Sequence, residues 1–253
     1  MRAEHFLGGD PHDTAMPMDY FVWLAVSAER TVLIDTGFME SAAPRRDITY
    51  LRTPVEGLAA LGVKPADVHD VIITHMHYDH AGGSGSFPNA RFHLQEDEMS
   101  YATGKHMCFA HLNRSYPVED VVNMVRLVFA GRVCFHPHLA NPMPGITLHR
   151  IGGHTPGMQC ARVHTRRGWV VVASDVSHFY ENFETLRPFR SAFNVGEMLL
   201  GFEKLRKLSG SNDLIIPGHD PLVMTRYGAP TDETHGIVVR LDEPPLLDSA
   251  LRA

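Results

Sequence analysis

Val71-Ile-Ile-Thr74 runs straight into His75-Met-His-Tyr-Asp-His80. The first four residues form an uninterrupted apolar and β-branched run, the pattern of a strand covered on both faces. The next six spell H-x-H-x-D-H with no spacer, a pattern that this composition would produce by chance far too seldom for coincidence. A tight turn at a strand end fans three neutral imidazoles and one carboxylate toward a common point. These are the nitrogen and oxygen donors that a divalent zinc ion accepts. A merely solvated polar loop would need no such set.

Upstream, Asp19 to Val26 and Thr31 to Asp35 are rich in β-branched and aromatic residues and flank a polar turn at Ser27 to Arg30, which predicts a β-hairpin. Pro54 to Leu61 predicts a short helix stopped by Gly62 and Pro65. Downstream, Gly82-Gly-Ser-Gly85 lacks the Lys-Ser/Thr of a phosphate loop and is a tight turn. Arg91 to Leu94 predicts a strand and Gln95 to Ser100 a helix start led by acids. From 101 to 144 the pattern loosens around one helical run, Val118 to Ala130, and this segment is expected to be a lid or insertion. Gly168 to Ser174 and Asp213 to Ile216 predict further buried strands, with a helix at Val195 to Leu208 between them. Alternating strands and helices give an α/β class, and no linker divides residues 1–253, so one domain is expected.

Three more ligand types follow strands in the same way. His154 lies in Gly152-Gly-His-Thr-Pro-Gly157 after the strand-like 145–151, Asp175 ends the strand at Ser174, and His219 lies in Pro217-Gly-His-Asp220. In α/β sheets, groups just beyond the carboxyl ends of strands converge on one crevice. Seven donors (His75, His77, Asp79, His80, His154, Asp175 and His219) exceed what one tetrahedral ion uses and suit two ions sharing a carboxylate.

Composition sets the bounds. The 17 histidines nearly match the 23 Lys and Arg, and 23 minus 29 acidic residues gives a net charge of −6. With no dense basic block, a nucleic-acid partner is not expected. Cys108, Cys134 and Cys160 are odd in number and share no C-x-x-C spacing, so a disulfide framework is not expected and a reducing, cytoplasmic setting is. No apolar run of membrane length occurs in the sequence.

Together, H-x-H-x-D-H, Gly-His-Thr-Pro-Gly, the isolated Asp175 and the late Pro-Gly-His give the chain a resemblance to the metallo-β-lactamase superfamily over roughly residues 20 to 225. The resemblance implies an αβ/βα sandwich of two facing mixed β-sheets with outer helices and metals at one edge. It implies that His75, His77 and His154 hold one metal, that Asp79, His80 and His219 hold the other, and that Asp175 bridges them. Asp35, in Ile34-Asp-Thr-Gly37, would support the site without binding metal. Within the superfamily, the segment from Ser174 to Glu181-Asn-Phe183 resembles the N-acyl homoserine lactonases. Those enzymes often place a hydrogen-bonding Tyr three residues after the bridging Asp. Here that place is taken by His178, and the nearest phenol is Tyr180.

The implied activity is that of a dinuclear zinc hydrolase, with iron or manganese as other metals, which opens an N-acyl homoserine lactone or similar small lactone and so quenches quorum signals. A hydroxide between the ions would attack, with Asp79, Asp175 and His178 as the catalytic side chains. Other small esters, thioesters or catabolic lactones are alternative substrates, and an iron-dependent oxidoreductase of the persulfide dioxygenase type is the alternative of another class. The partner expected is a small lactone or ester, and a homodimer is compatible. His5, His12, His69, His149, His164 and His235 are expected to be solvated, and Tyr20 and Trp23 to lie in the core. His106, Met107, Phe109 and His111 sit in the loose segment after the first metal motif, with pocket lining as the lesser reading, whereas Phe179, Phe183, Leu186, Phe189 and Phe193 suit either a substrate or the core.

Overall fold

Ten strands among the described residues build two five-stranded sheets. The first contains β1 (Trp23–Val26), β2 (Thr31–Ile34), β3 (Asp70–Ile72), β4 (Arg91–Gln95) and β5 (Val133–His136), in that order. β1 and β2 are the expected hairpin, antiparallel with Trp23 opposite Ile34, and the remaining pairings are parallel. The second sheet contains β6 (Leu139–Met143), β7 (Ile146–Arg150), β8 (Gln159–Thr165), β9 (Gly168–Ser174) and β10 (Ile215–Pro217), ordered β10-β9-β8-β7-β6. Only β10 and β9 pair in parallel there. A computed structural model describes residues 1–12, 14–43 and 48–246.

The sheets face each other across Trp23, Val32, Ile34 and Ile72 on one side and Met143, Leu148, Ala161 and Val172 on the other. Outside the first sheet, Met124 and Leu127 of the helix Val118–Phe129 pack with Val71, Phe92 and Leu94. Outside the second, Met198, Phe202 and Leu205 of the helix Val195–Ser209 pack with Val171, Ala173 and Ile215. That helix begins where Asn194 accepts from the Glu197 amide (3.1 Å) and ends at Gly210, whose φ of +74° is the left-handed stop that a residue with Cβ resists. The result is the αβ/βα sandwich that the resemblance implies.

Strand direction places the site. Parallel pairing sets Ile34 beside Ile72, so β2 and β3 finish at one edge, followed by Asp35 and by His75. β10 and β9 finish together with Pro217 beside Ser174, and β7, two antiparallel steps from β9, runs the same way. At this edge the Gln159 amide donates to the Thr74 carbonyl (3.0 Å), joining the two sheets.

The segment 101–144, expected to be a lid or insertion, supplies one edge strand of each sheet, β5 paired to β4 and β6 paired to β7. Only its first part, with the short helices Lys105–Cys108 and Ala110–Asn113, lacks a strand. Tyr20 is half-buried beside His219, with ring centroids 5.2 Å apart, whereas Trp23 is in the core as expected.

Candidate metal centre

All seven donors meet at that edge. His75, His77, His154 and Asp175 form one group able to hold a metal ion, and Asp79, His80 and His219 form a second, each with ligand atoms within 4.8 Å of one another. Asp175 divides its carboxylate between them. Its Oδ2 lies 3.3 Å from His154 Nε2 and 3.8 Å from His75 Nε2, and its Oδ1 lies 2.9 Å from His219 Nε2 and 3.3 Å from His80 Nε2. Asp79 Oδ2 approaches His80 Nε2 at 3.5 Å and His219 Nε2 at 3.7 Å. All seven side chains are buried except that of His77, which is half-buried.

The residues fit metal ions on an observation independent of the motif. His75 Nε2, His80 Nε2 and Asp175 Oδ1 are buried and meet no partner with hydrogen-bond geometry, Asp175 Oδ1 despite standing 2.9 Å from His219 Nε2. Three such atoms in one crevice would be costly in a folded protein unless something binds them. Cations satisfy all three.

Four of the five rings have a partner on their other nitrogen, while His77 Nδ1 lies 3.0 Å from His154 Nε2. His80 Nδ1 donates to Asp35 Oδ2 (2.8 Å), His219 Nδ1 to the Asp19 carbonyl (2.8 Å), and His154 Nδ1 to the Ser191 carbonyl. His75 Nδ1 lies 3.2 Å from Thr74 Oγ1. Such partners fix the tautomer and leave Nε2 free to ligate. Asp35 also accepts from the Thr74 amide (2.7 Å) and hydroxyl (2.8 Å), which matches the supporting role the resemblance implies. Asp35 and Ser174 have φ of +59° and +47°, left-handed values for residues that carry Cβ, and both stand where a strand gives way to the site.

Glu98 was not singled out in the sequence. Fully buried, it accepts from the Met76 amide (2.9 Å), the Tyr116 hydroxyl (2.8 Å), the Thr155 hydroxyl and the Gly157 amide (3.2 Å). It ties the H-x-H turn to the turn around His154. Gly157 has no room for a side chain there, since a Cβ would stand 2.1 Å from the Glu98 backbone nitrogen.

Electrostatics divide the site. Burial lowers the pKa of His77 to about 4 and holds those of His75 and His154 well below the usual imidazole range, so these three are neutral donors. For His80 burial pulls the same way, but Asp175, Asp79 and Asp35 outweigh it and raise the value well above the usual range. His219 is raised by Asp175 and Asp79 against the same burial penalty. Asp175, although buried, is held well below the carboxylate range by His219, His80 and His178.

His178 stands at the site, its Nε2 3.0 Å from Asp175 Oδ2 and its ring flat on Phe189 at 3.5 Å and 14°. Tyr180 does not, because its ring belongs to the core beside Phe183, with the Arg226 guanidinium 3.9 Å from the ring centroid. Phe179, Phe183 and Phe189 are buried, whereas Leu186 and Phe193 are exposed. A cleft of about 40 Å³ against His77 and His154 is lined by Tyr101, His111, Arg190 and Phe193 among others. Of His106, Met107, Phe109 and His111, only His111 lines this cleft, and His106 reaches it through ring contact with Phe193 (5.4 Å). A larger apolar cavity of about 820 Å³, reaching the β1–β2 and β8–β9 turns, includes none of the seven donors. His93 hydrogen-bonds Asp70 and His136, away from the centre. His12, His69, His164 and His235 are exposed as expected, whereas His5 bonds the Met16 carbonyl and His149 is half-buried.

Residues 16–219 match the family model of the metallo-beta-lactamase superfamily. An N-acyl homoserine lactonase of Bacillus thuringiensis is 29% identical over 226 residues, which covers 79% of this chain and 81% of that protein. A solved quorum-quenching N-acyl homoserine lactone lactonase superposes with a TM-score of 0.67 at 27% identity, covering 81% of each chain. A solved N-acyl homoserine lactone hydrolase, with N-hexanoyl-L-homoserine at its catalytic metal center, superposes with a TM-score of 0.68 at 25% identity over 82% of this chain and 84% of that one.

Proposed function

We propose, from the premise that this chain belongs to the metallo-beta-lactamase superfamily and is a metal-dependent hydrolase, that it opens a lactone ring, an N-acyl homoserine lactone being the favoured substrate. The observation that carries this reading is the divided carboxylate of Asp175, one oxygen toward His75 and His154 and the other toward His80 and His219. One ion would be held by His75, His77 and His154, the other by Asp79, His80 and His219, with Asp175 shared. Zinc suits the nitrogen-rich donor set. Two such ions supply Lewis acidity toward a carbonyl oxygen and lower the pKa of water from about 15.7 to about 7.

The chain's own groups do the rest. Asp79 and Asp175 bring two negative charges into a buried site and so make it hospitable to cations. Water adds to the lactone carbonyl, the ring C–O bond breaks, and the departing oxygen takes a proton, giving an open hydroxy acid. The Asp175–His178 pair would hold that proton at His178 Nε2, a role supported by their 3.0 Å contact and by the flat packing of the imidazole on Phe189. The half-buried edge of His77 lies beside the cleft.

Acid release in a pH-stat, screened over lactones, esters, thioesters and β-lactams with the zinc-loaded protein, tests the proposal. Lactones are expected to give the fastest acid release. Turnover confined to thioesters or β-lactams would refute the lactonase reading, and oxygen consumption with an iron-loaded protein would replace hydrolysis by oxidation.

A further inference from the structure

Residues 1–15 lie outside the family match, yet part of this stretch is built into the wall behind the metal centre. Phe6 is fully buried and forms a β-bridge with Phe189, and the Leu7 amide donates to the Pro188 carbonyl (2.8 Å). Guanidinium groups cover the Phe6 ring, that of Arg187 at 4.0 Å and that of Arg2 at 4.9 Å. The same two arginines close a network of four charges. Arg2 pairs with Asp10 (3.1 Å) and Glu181 (2.7 Å), and Arg187 pairs with Asp10 (2.8 Å) and Glu181 (2.9 Å). Farther along, Arg190 donates to the Ala3 carbonyl (3.0 Å).

The other side of this loop touches the site. Phe189 lies flat on His178, and its ring centroid is 5.3 Å from that of His154. The Ser191 carbonyl accepts a hydrogen bond from His154 Nδ1, and the Phe193 amide donates to the His154 carbonyl (3.2 Å). Residues 186–191 contain no helix or strand beyond the Phe189 bridge, so their position depends on what they are pinned to. Three other rings draw their Nδ1 partners from elsewhere, Thr74 for His75, Asp35 for His80 and Asp19 for His219, and His77 Nδ1 faces His154 Nε2 at 3.0 Å.

We propose that residues 2–10 act as a clasp which positions His154 and His178 through the loop 186–191, with Phe6, Asp10 and Arg187 as its positioning residues. The clasp rests on the ligand assignment proposed above, and its effect is selective. Releasing it should weaken the ion at His75, His77 and His154 and leave the ion at Asp79, His80 and His219 in place. Losing the support of a ligating histidine typically costs about 10- to 100-fold in metal affinity.

The test uses the full chain and its Phe6→Ala, Phe6→Leu and Arg187→Lys variants, each titrated with zinc against a chromophoric chelator, with melting temperature recorded alongside. Phe6→Ala is expected to keep one ion at parental affinity and to bind the second about 10- to 100-fold more weakly. Its kcat should recover as zinc is raised, and Phe6→Leu should stay near the parent. A merely structural role would lower the melting temperature without splitting the two affinities. Two unchanged affinities in Phe6→Ala, or two affinities weakened equally, overturn the proposal. Should Phe6→Ala fail to fold, the same split is read from Arg187→Lys, where equal affinities again overturn it. Zinc affinity is read without substrate, so a chain that opens no lactone leaves this test intact.

Discussion

Asp175 stands between the two groups of donors, its oxygens 2.9 Å from His219 Nε2 and 3.3 Å from His154 Nε2. Asp175→Asn keeps the shape but loses the charge, and is expected to fold while losing metal and turnover together, checked by elemental analysis beside the pH-stat rate. An active, metal-replete Asp175→Asn would move the bridge elsewhere. His178→Ala is expected to keep both ions and lose about 10²-fold in kcat, the low end for removing a positioned proton donor. His178→Tyr should regain part of that, since a phenol also donates a hydrogen bond. Unchanged kcat/KM in His178→Ala would return the ring to packing on Phe189. Tyr180 is no substitute, because it is fixed in the core under Arg226. Among the thiols, burial pushes Cys160 up to about 12, while Cys108 is exposed. At pH 8 the reactive thiolate of Cys160 is therefore scarce, and alkylation followed by peptide mapping should label Cys108 and spare Cys160 until the protein unfolds.

Between elements, Glu98 is the main tie, joining the helix Glu96–Ala102 to the turns that carry His75, His77 and His154. Glu98→Ala would strand four buried donors, and the expected loss is about 3 kcal/mol in urea unfolding. Glu98→Gln should lose less, since its amide oxygen still accepts; equal stability of all three proteins would show the tie to be idle. Nothing in Gln95 to Ser100 marks Glu98, because its partners at Met76, Thr155 and Gly157 are remote in the chain. β3, β9 and β10 were legible because each is a buried apolar run with a donor just past its end, whereas β7 (Ile146–Arg150) alternates buried and half-buried positions ahead of His154. β5 and β6 were not. Val133–His136 and Leu139–Met143 are short edge strands, none of their residues but Met143 is fully buried, and Pro142 interrupts the second, so neither run nor alternation shows. β8 was missed for another reason. Its pattern of buried and half-buried positions across Gln159–Thr165 depends on strands antiparallel to it on both sides, a tertiary fact.

At the scale of the molecule, the seven donors proposed as ligands come from both sheets. His75, His77, Asp79 and His80 follow β3 of the first, whereas His154, Asp175 and His219 follow β7, β9 and β10 of the second. Two shared ions would therefore cross-link the halves of the sandwich at one edge, where the protein's own links include the hydrogen bond from Gln159 to Thr74 and the contact of Thr74 Oγ1 with Ser174 Oγ at 2.9 Å. Ions that bind the folded chain and not the unfolded one stabilise it by about 4 kcal/mol when free metal stands about a thousandfold above Kd. For a chain of this size each kcal/mol moves the melting temperature by about 2–4 °C, so stripping one such ion should lower it by roughly 10 °C. Loss of the cations also leaves Asp79 and Asp175 buried with only imidazoles for company, which adds to the effect. The measurement is a melt of the full chain with and without a strong chelator, followed by zinc readdition. A drop of roughly that size, reversed by zinc and absent from Asp175→Asn, is the expected outcome. Identical melts for the native chain in chelator and in zinc would mean that the crevice holds no ion worth a kilocalorie, and the hydrolytic mechanism would go with it.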